Sequence, residues 1–163
     1  MLIMETLLTD IECKELNKFG KLELTASHAY LQLSNRMQTL GYFGAEEFFM
    51  NESNGERDHY KKIGKFMNDL NCQITTEPVE AGPCDCVDIK EALTLAYQME
   101  RDLLIAYETA AKRTDLSLKV VLLLQDFTTH QVSAVGEYGD LLARLELTND
   151  MLLFDKDLAK NNV

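Results

Sequence analysis

A few residues of this chain have side chains and a spacing that would allow them to bind one metal site jointly. They are Glu23, Glu56, His59, Glu100 and Gln131. Each lies near the middle of a long amphipathic segment, on the apolar stripe of that segment. Because helices that fold antiparallel bring their midpoints to one level, these side chains would meet inside a bundle. Buried carboxylates cost several kcal/mol unless they are compensated, and the stripes contain no lysine. The pattern therefore predicts a metal site.

The spacing between Glu56 and His59 indicates which metal the site would bind. Residues three apart lie on one helix face, about 5–6 Å between Cβ atoms, so one ion can reach both side chains. A Glu-x-x-His motif is common by chance, and for one glutamate alone an outward-turned side chain is the simpler interpretation. Together with inward-facing Glu23 and Glu100, however, the motif is the di-iron arrangement of helix bundles. Oxygen-rich ligands with a single imidazole suit iron better than zinc or copper.

The segments that must position these residues are predicted to be helices. Both prolines, Pro78 and Pro83, fall in the stretch 71–87, and elsewhere apolar residues recur at helical spacing. Helices are expected at about 9–40, 45–71, 88–113, 117–147 and 150–160, in a single domain spanning 1–163. Asp88 is expected to cap the third helix, with Glu91 completing a capping box. The connection 71–87 is long enough to cross a whole bundle, and strand-like alternation is absent. The predicted fold class is all-α.

Composition and charge exclude several classes of partner. The formal net charge is -11, from 27 acidic and 16 basic side chains, so the basic clusters that nucleic acids require are lacking. The longest aliphatic run, 120–124, is far too short to span a membrane. Four cysteines are too sparse for a disulfide framework, and the Cys84-Asp85-Cys86 stretch is expected to carry exposed thiols. With no signal peptide visible at the start, we expect a cytoplasmic protein with neither nucleic-acid nor membrane partners.

Several stretches of the sequence together resemble the ferritins. They are Lys21-Leu-Glu-Leu-Thr-Ala-Ser-His-Ala-Tyr30, Gly55-Glu-Arg-Asp-His59, Tyr97-Gln-Met-Glu100, His130-Gln-Val-Ser-Ala134 with Gly139-Asp140, and Leu153-Phe-Asp-Lys-Asp-Leu158. The resemblance extends almost from end to end, and order, spacing and helix position all agree. Within the family, the chain looks like the catalytic, non-haem H-type subunit of the large ferritins.

The resemblance implies a fold, an assembly and an activity. The fold would be a four-helix bundle with a long crossover between the second and third helices and a short fifth helix. The assembly would be a hollow homo-oligomeric cage of 24 subunits. The activity would be oxidation of Fe(II) by dioxygen, or by hydrogen peroxide, followed by storage of the ferric mineral.

The resemblance also implies roles for individual residues. Glu23, Glu56 and His59 would bind a first iron, and Glu56 would bridge to a second iron held by Glu100. Gln131 would orient water or dioxygen, while Tyr30 would hydrogen-bond within the site. Haem is not implied, because Arg57 and Asp58 occupy the interval in which bacterioferritin has its haem-binding methionine. His130 is rotated by about 100° from Gln131 around the helix, so it is expected to point away from the site.

Two alternative functions are considered. A rubrerythrin-like peroxidase uses a second Glu-x-x-His motif and an appended cysteine-bound iron, and this chain has neither. A non-catalytic cage subunit, which only supports mineral growth, would lack the glutamates that are kept here.

The route of iron is expected to differ from that of animal H-type ferritins. Those proteins line their three-fold pores with acidic side chains near the start of the fourth helix. Aligned through Gln131, the corresponding positions here are Val121 and Leu124. An apolar constriction offers a divalent cation no replacement for its hydration shell, so we expect another path. The alternative is a shifted helix in which Asp115 or Asp126 provides the charge.

Overall fold

The computed structural model describes residues 4–82 and 85–160, and within these ranges it contains helices and no strand. The helices are α1 (Asp10–Leu40), α2 (Phe43–Asp69), α3 (Ile89–Ala111), α4 (Leu118–Leu147) and α5 (Met151–Lys160). Every helix end lies within two residues of its predicted position. None of these helices is both long enough and apolar enough to cross a membrane. The all-α class, with a long connection between α2 and α3 and a short last helix, is confirmed.

A buried carboxylate joins the starts of α1 and α4. Glu12 accepts a hydrogen bond from the Thr9 backbone N–H through Oε2 (2.9 Å), and the Thr9 hydroxyl accepts one from the Glu12 N–H in return (3.2 Å). The other oxygen of Glu12 accepts from the Ser117 N–H, which precedes α4, at 2.7 Å. One side chain therefore satisfies backbone donors at two helix starts. α1 ends at Gly41, whose φ of 86° is the left-handed conformation that closes many helices.

The start of α3 differs in one detail from its prediction. Asp88 caps the helix as expected, accepting a hydrogen bond from the Glu91 N–H at 2.8 Å. The Glu91 carboxylate, however, accepts from the Val87 N–H (2.8 Å), one residue before the cap. The prediction is therefore right for the cap by Asp88. It is wrong for Glu91, which a capping box would pair with the backbone N–H of Asp88.

The bundle consists of two closely packed helix pairs, α1 with α2 and α3 with α4. Its core falls into two apolar clusters, one toward each end. One cluster contains Tyr30, Met37, Phe48, Leu93 and Tyr138, and the other contains Leu16, Phe19, Ile63, Tyr107 and Phe127. Along α2, α3 and α4 the boundary between the clusters falls at Glu56, Glu100 and Gln131 respectively. A polar layer thus interrupts the core at mid-height.

The last helix docks on its own chain. Phe154 and Leu158 are buried in the same cluster as the first turns of α2. Between them, Asp155 accepts hydrogen bonds from the Gly44 N–H (3.0 Å) and the Ala45 N–H (2.7 Å). This side chain caps α2, which has no side-chain cap from its own N-cap residue. A ten-residue helix is too short to be stable alone, and the apolar stripe of α5 finds a large part of the surface that it needs within the same chain.

Three of the cysteines differ from what the sequence predicts. Cys13, in the first turns of α1, and Cys72, just after α2, form a disulfide with 6.6 Å between their Cα atoms. The pair is separated by 59 residues, and the fold brings it together because the chain leaves α2 beside the start of α1. Cys86 is buried rather than exposed, and its carbonyl accepts a hydrogen bond from Arg36 Nε at 2.7 Å. Cys84 lies outside the described residues.

The expectation about the three-fold pore is wrong for one of its two residues. Leu124 is 1 % exposed and belongs to the core, so it cannot line a pore. The reason is periodicity: Leu124 lies seven residues before Gln131 and therefore shares its inward face. Val121 is half-buried, and the exposed apolar residues on this stretch of α4 are Leu118 and Leu122.

The docking of α5 generates the first prediction. Asp155→Ala should lower the melting temperature by about 2–8 °C, because losing a helix cap costs about 1–2 kcal/mol. The matched control is Asp157→Ala on the same helix, whose partners are surface lysine and arginine side chains and whose loss should have little effect. Differential scanning calorimetry measures both. Equal melting temperatures for Asp155→Ala and the parent chain would contradict the capping role.

Candidate metal centre

The polar layer brings three of the predicted ligands into one compact group. Glu23 comes from α1, and Glu56 and His59 come from one face of α2. One ligand atom from each of the three lies within 4.8 Å of the others. His59 Nδ1 is 3.0 Å from Glu56 Oε2 and 3.3 Å from Glu23 Oε2. Glu23 is fully buried and Glu56 is 5 % exposed, while the His59 side chain keeps 20 % of its surface in contact with solvent.

Glu100 lies in the same layer but is held by other side chains. Tyr30 donates a hydrogen bond to Glu100 Oε1, and Gln131 Nε2 donates one to Glu100 Oε2 at 2.7 Å. The remaining polar atom, Gln131 Oε1, is buried and has no hydrogen-bond partner among the described residues. A buried amide oxygen without a donor is costly, so it indicates a place where a ligand or its hydrogen-bond donor would sit. All six predicted site residues therefore lie in one layer.

Tyr107 is a site residue that the sequence analysis does not identify. Its hydroxyl donates a hydrogen bond to Glu23 Oε1. The ring is buried between Phe19, at 4.3 Å between centroids, and Phe127, at 4.9 Å. Glu23 and Glu100, referred to below as the two outer carboxylates, thus each have a buried tyrosine donor. The donor is Tyr107 for Glu23 and Tyr30 for Glu100. The signal in the sequence is the seven-residue spacing from Glu100 to Tyr107, which places both on one helix face.

Protons compensate part of the buried negative charge. Burial works against protonation of His59, but hydrogen bonds to Glu23 and Glu56 raise its pKa to about 10. Burial and the neighbouring Glu23 raise the pKa of Glu56 well above its usual range, whereas the pKa of Glu23 is lowered despite burial by its hydrogen bonds to Glu56 and His59. Among the described residues, no lysine or arginine forms an ion pair with these carboxylates. The arrangement is suited to a cation that replaces the protons.

His130 lies closer to the site than the sequence analysis expects. Its ring centroid is 4.5 Å from that of His59, and the two rings are nearly perpendicular, at 81°. A rotation of about 100° from Gln131 turns this side chain toward α2, where His59 lies, rather than away from the bundle. His130 is exposed, so it extends the layer from His59 to the protein surface.

A second missed feature is the pair formed by Glu52 and Tyr138. Tyr138 is buried and donates a hydrogen bond to Glu52 Oε2 at 2.8 Å. Its ring also stacks on Tyr30, with 6.2 Å between centroids. Burial, and to a lesser degree the charge of Glu100, raise the pKa of Glu52 to about 7. Glu52 lies one turn before Glu56, a spacing that would place it on the ligand face of α2.

The raised pKa of Glu52 makes the stability of the metal-free protein depend on pH. A carboxyl group whose pKa is higher in the folded state contributes stability at low pH that is lost as pH rises through the folded value of about 7. Glu52→Gln keeps an acceptor for Tyr138 without a charge, so it should increase the free energy of unfolding at pH 8 by on the order of 1–3 kcal/mol. At pH 5 the gain should be much smaller. Urea unfolding at both pH values measures this, with Glu47→Gln, an exposed position on the same helix, as the control. A gain that is equal at pH 5 and pH 8 would contradict the prediction.

Comparison with known proteins identifies the family. Residues 13–148 match the model of the Ferritin family, described as a ferritin-like domain. A ferritin of Pacifastacus leniusculus is 28 % identical over 158 residues, covering 90 % of this chain and 87 % of that protein. A bacterial non-heme ferritin of Staphylococcus epidermidis is 26 % identical over 150 residues, covering 88 % and 90 %. The crystal structure of an open-pore ferritin from Archaeoglobus fulgidus superposes with a TM-score of 0.84 at 19 % identity, covering 93 % of this chain and 97 % of that one. This chain therefore belongs to the ferritin family.

Proposed function

We propose that this chain oxidises Fe(II) with dioxygen at a di-iron centre and deposits the ferric product inside a protein cage. Ferritins store iron and assemble into oligomeric cages, and the Staphylococcus epidermidis relative is a non-heme ferritin. The observation that best supports a catalytic subunit is the compact buried group of Glu23, Glu56 and His59. Its ligand atoms converge at mid-height of the bundle, where the described residues offer them no lysine or arginine partner.

The residues present fit two iron ions as substrate. Glu23, Glu56 and His59 would bind the first ion, and Glu56 would bridge to a second ion bound by Glu100. Carboxylate oxygens with one imidazole are a donor set that suits iron. The unpartnered Gln131 Oε1 supports this assignment, because it could accept a hydrogen bond from water bound beside Glu100. The hydrogen bonds of Tyr30 and Tyr107 would keep the two outer carboxylates in orientation.

The proposed reaction balances with two irons for each dioxygen. Each Fe(II) gives up one electron, so a pair reduces one dioxygen by two electrons, and two protons complete hydrogen peroxide. The protein supplies the ligand geometry and the negative charge that compensates the rising charge of iron. Gln131 and the two tyrosines would act by orientation and not by transferring electrons.

The proposal includes a homo-oligomeric cage of 24 copies. Exposed leucines lie together at the corner between α4 and α5, namely Leu147, Leu152 and Leu153. Apolar side chains of this size, exposed in one place, are typical of a surface that another subunit covers. A cytoplasmic location stays a prediction, and the disulfide between Cys13 and Cys72 argues against it, because reducing compartments disfavour such bonds.

Substitution of the ligands tests the centre directly. Glu23→Ala, His59→Ala and Glu100→Ala should each lower the initial rate of aerobic Fe(II) oxidation at least about tenfold, as expected when a metal ligand is removed. Stability of the metal-free protein should hold or rise in Glu100→Ala, because burial raises the pKa of this carboxyl and its charge is unfavourable there. Stability should fall in Glu23→Ala, because Tyr107 and His59 lose the buried carboxylate that they contact. The measurement is stopped-flow absorbance in the near ultraviolet, with Asp58→Ala, an exposed carboxylate on α2, as the control. Unchanged oxidation rates in all three variants would contradict the proposal of a di-iron centre at these residues.

Metal binding at this site should release protons. His59, with its pKa raised to about 10, holds a proton at pH 7 in the metal-free protein, and burial together with the neighbouring Glu23 shifts the pKa of Glu56 upward. A metal ion must displace bound protons, so its apparent affinity should rise with pH, about tenfold per pH unit for each proton released. Anaerobic titration with Co(II), which is not oxidised by the site, measures the affinity at pH 6, 7 and 8. His59→Ala should show a weaker dependence, and an affinity that is constant across these pH values would refute the linkage.

A further inference from the structure

An apolar cavity of about 300 Å³ opens between α1 and α3, on the side of the bundle opposite to His59 and His130. Its lining comes equally from the two helices: Leu22, Thr25, Ala26 and Ala29 from α1, and Met99, Asp102, Leu103 and Ala106 from α3. Six of these eight side chains are apolar. Asp102 is exposed, and Thr25 is half-buried. The space exists because α1 and α3 pack much less closely than the two main helix pairs do. The small side chains on both helices do not fill it.

The cavity lies at the same level of the bundle as the proposed centre. Leu22 and Met99 immediately precede Glu23 and Glu100 in the sequence, and Ala26 and Leu103 follow them by one helical turn. Ala26 and Leu103 are themselves almost fully buried. Apolar side chains next to Glu23 on α1 and next to Glu100 on α3 therefore line the cavity.

The opposite side of the centre has a different chemical character. Between α2 and α4, the partly exposed His59 contacts His130, and Lys62 forms an ion pair with Asp126 at 2.5 Å. A hydrated cation can exchange its water for polar groups on that side. On the α1–α3 side it would have to lose its hydration against alkyl groups, which is costly. A small apolar molecule has little hydration to lose, so it enters more easily on the α1–α3 side than on the polar α2–α4 side.

We propose that the cavity between α1 and α3 binds dioxygen and admits it to the centre. The inference rests on the proposed ferroxidase function and adds to it a separate site for the second substrate. Apolar cavities in proteins take up small apolar molecules such as xenon, and dioxygen is of this class. The cavity leads dioxygen to the carboxylates of Glu23 and Glu100 without crossing the polar side that serves the cation.

Filling the cavity tests its role in the reaction. Ala106→Phe, from α3, and Thr25→Leu, from α1, place larger apolar groups in the cavity without touching a proposed ligand. Each should raise the KM for dioxygen severalfold while leaving anaerobic Co(II) binding and the rate with hydrogen peroxide unchanged. The matched control is Ile105→Phe, which adds an aromatic ring at a neighbouring position of α3 that is 50 % exposed and outside the cavity. Should Ala106→Phe not fold, Thr25→Leu provides the same test.

Xenon provides a readout that does not depend on activity. In crystals of the metal-free protein under xenon pressure, the gas should occupy the cavity in the parent chain and in Ile105→Phe, and should be absent in Ala106→Phe. An unchanged KM for dioxygen in a folded cavity variant, or ordered water in place of xenon in the parent chain, would overturn the inference. If the parent chain does not oxidise Fe(II) at all, the proposed function fails, and occupancy by xenon still decides whether the cavity takes apolar gases.

Discussion

The burial of three carboxylates between two apolar clusters is the constraint on which the rest of this structure depends. Charges removed from water cost several kcal/mol each, and here α1, α2 and α3 each place one of them at mid-height of the bundle, near the passage from one cluster to the other. Glu12 and Asp155 are also buried, but backbone N–H groups at helix starts satisfy them. No helix start reaches mid-height of the bundle, because each of the four long helices extends through it without a break. The central group must therefore be compensated by protons, tyrosine hydroxyls or a cation.

The same constraint explains why the two sides of the bundle differ. Tyr30 and Tyr107 must be buried to donate to Glu100 and Glu23, and their rings stack on neighbouring aromatic side chains within the two clusters. The α1–α3 side then has room mainly for small side chains. The α2–α4 side contains the imidazole, which needs contact with solvent to exchange its proton for a metal ion. Separate approaches for an apolar and a charged reactant follow from these two requirements.

Sequence reasoning succeeds here wherever a signal repeats along one helix. The helical spacing of apolar residues places all five helices and selects the inward glutamates, since both depend on neighbours three, four and seven residues away. It fails where two distant segments meet, as at the disulfide between Cys13 and Cys72 and at the pair of Glu52 and Tyr138. For Leu124 the seven-residue spacing to Gln131 already indicates an inward position. For His130 the angular position was also available from the sequence, and what was missing was the identity of the helix that it faces.

The charge of the centre also bears on what happens after the proposed oxidation. Three ionised carboxylates and a neutral imidazole leave two ferrous ions with one positive charge in excess, and two ferric ions with three. In a partly buried site this additional repulsion between the metal ions is substantial, because little water is present to screen it. The excess can be relieved if nearby water loses protons or if a ferric ion leaves. A site with one more carboxylate near Gln131 would hold its ferric product more firmly. With an amide at that position, the proposed donor set would favour release of the ferric product over its retention.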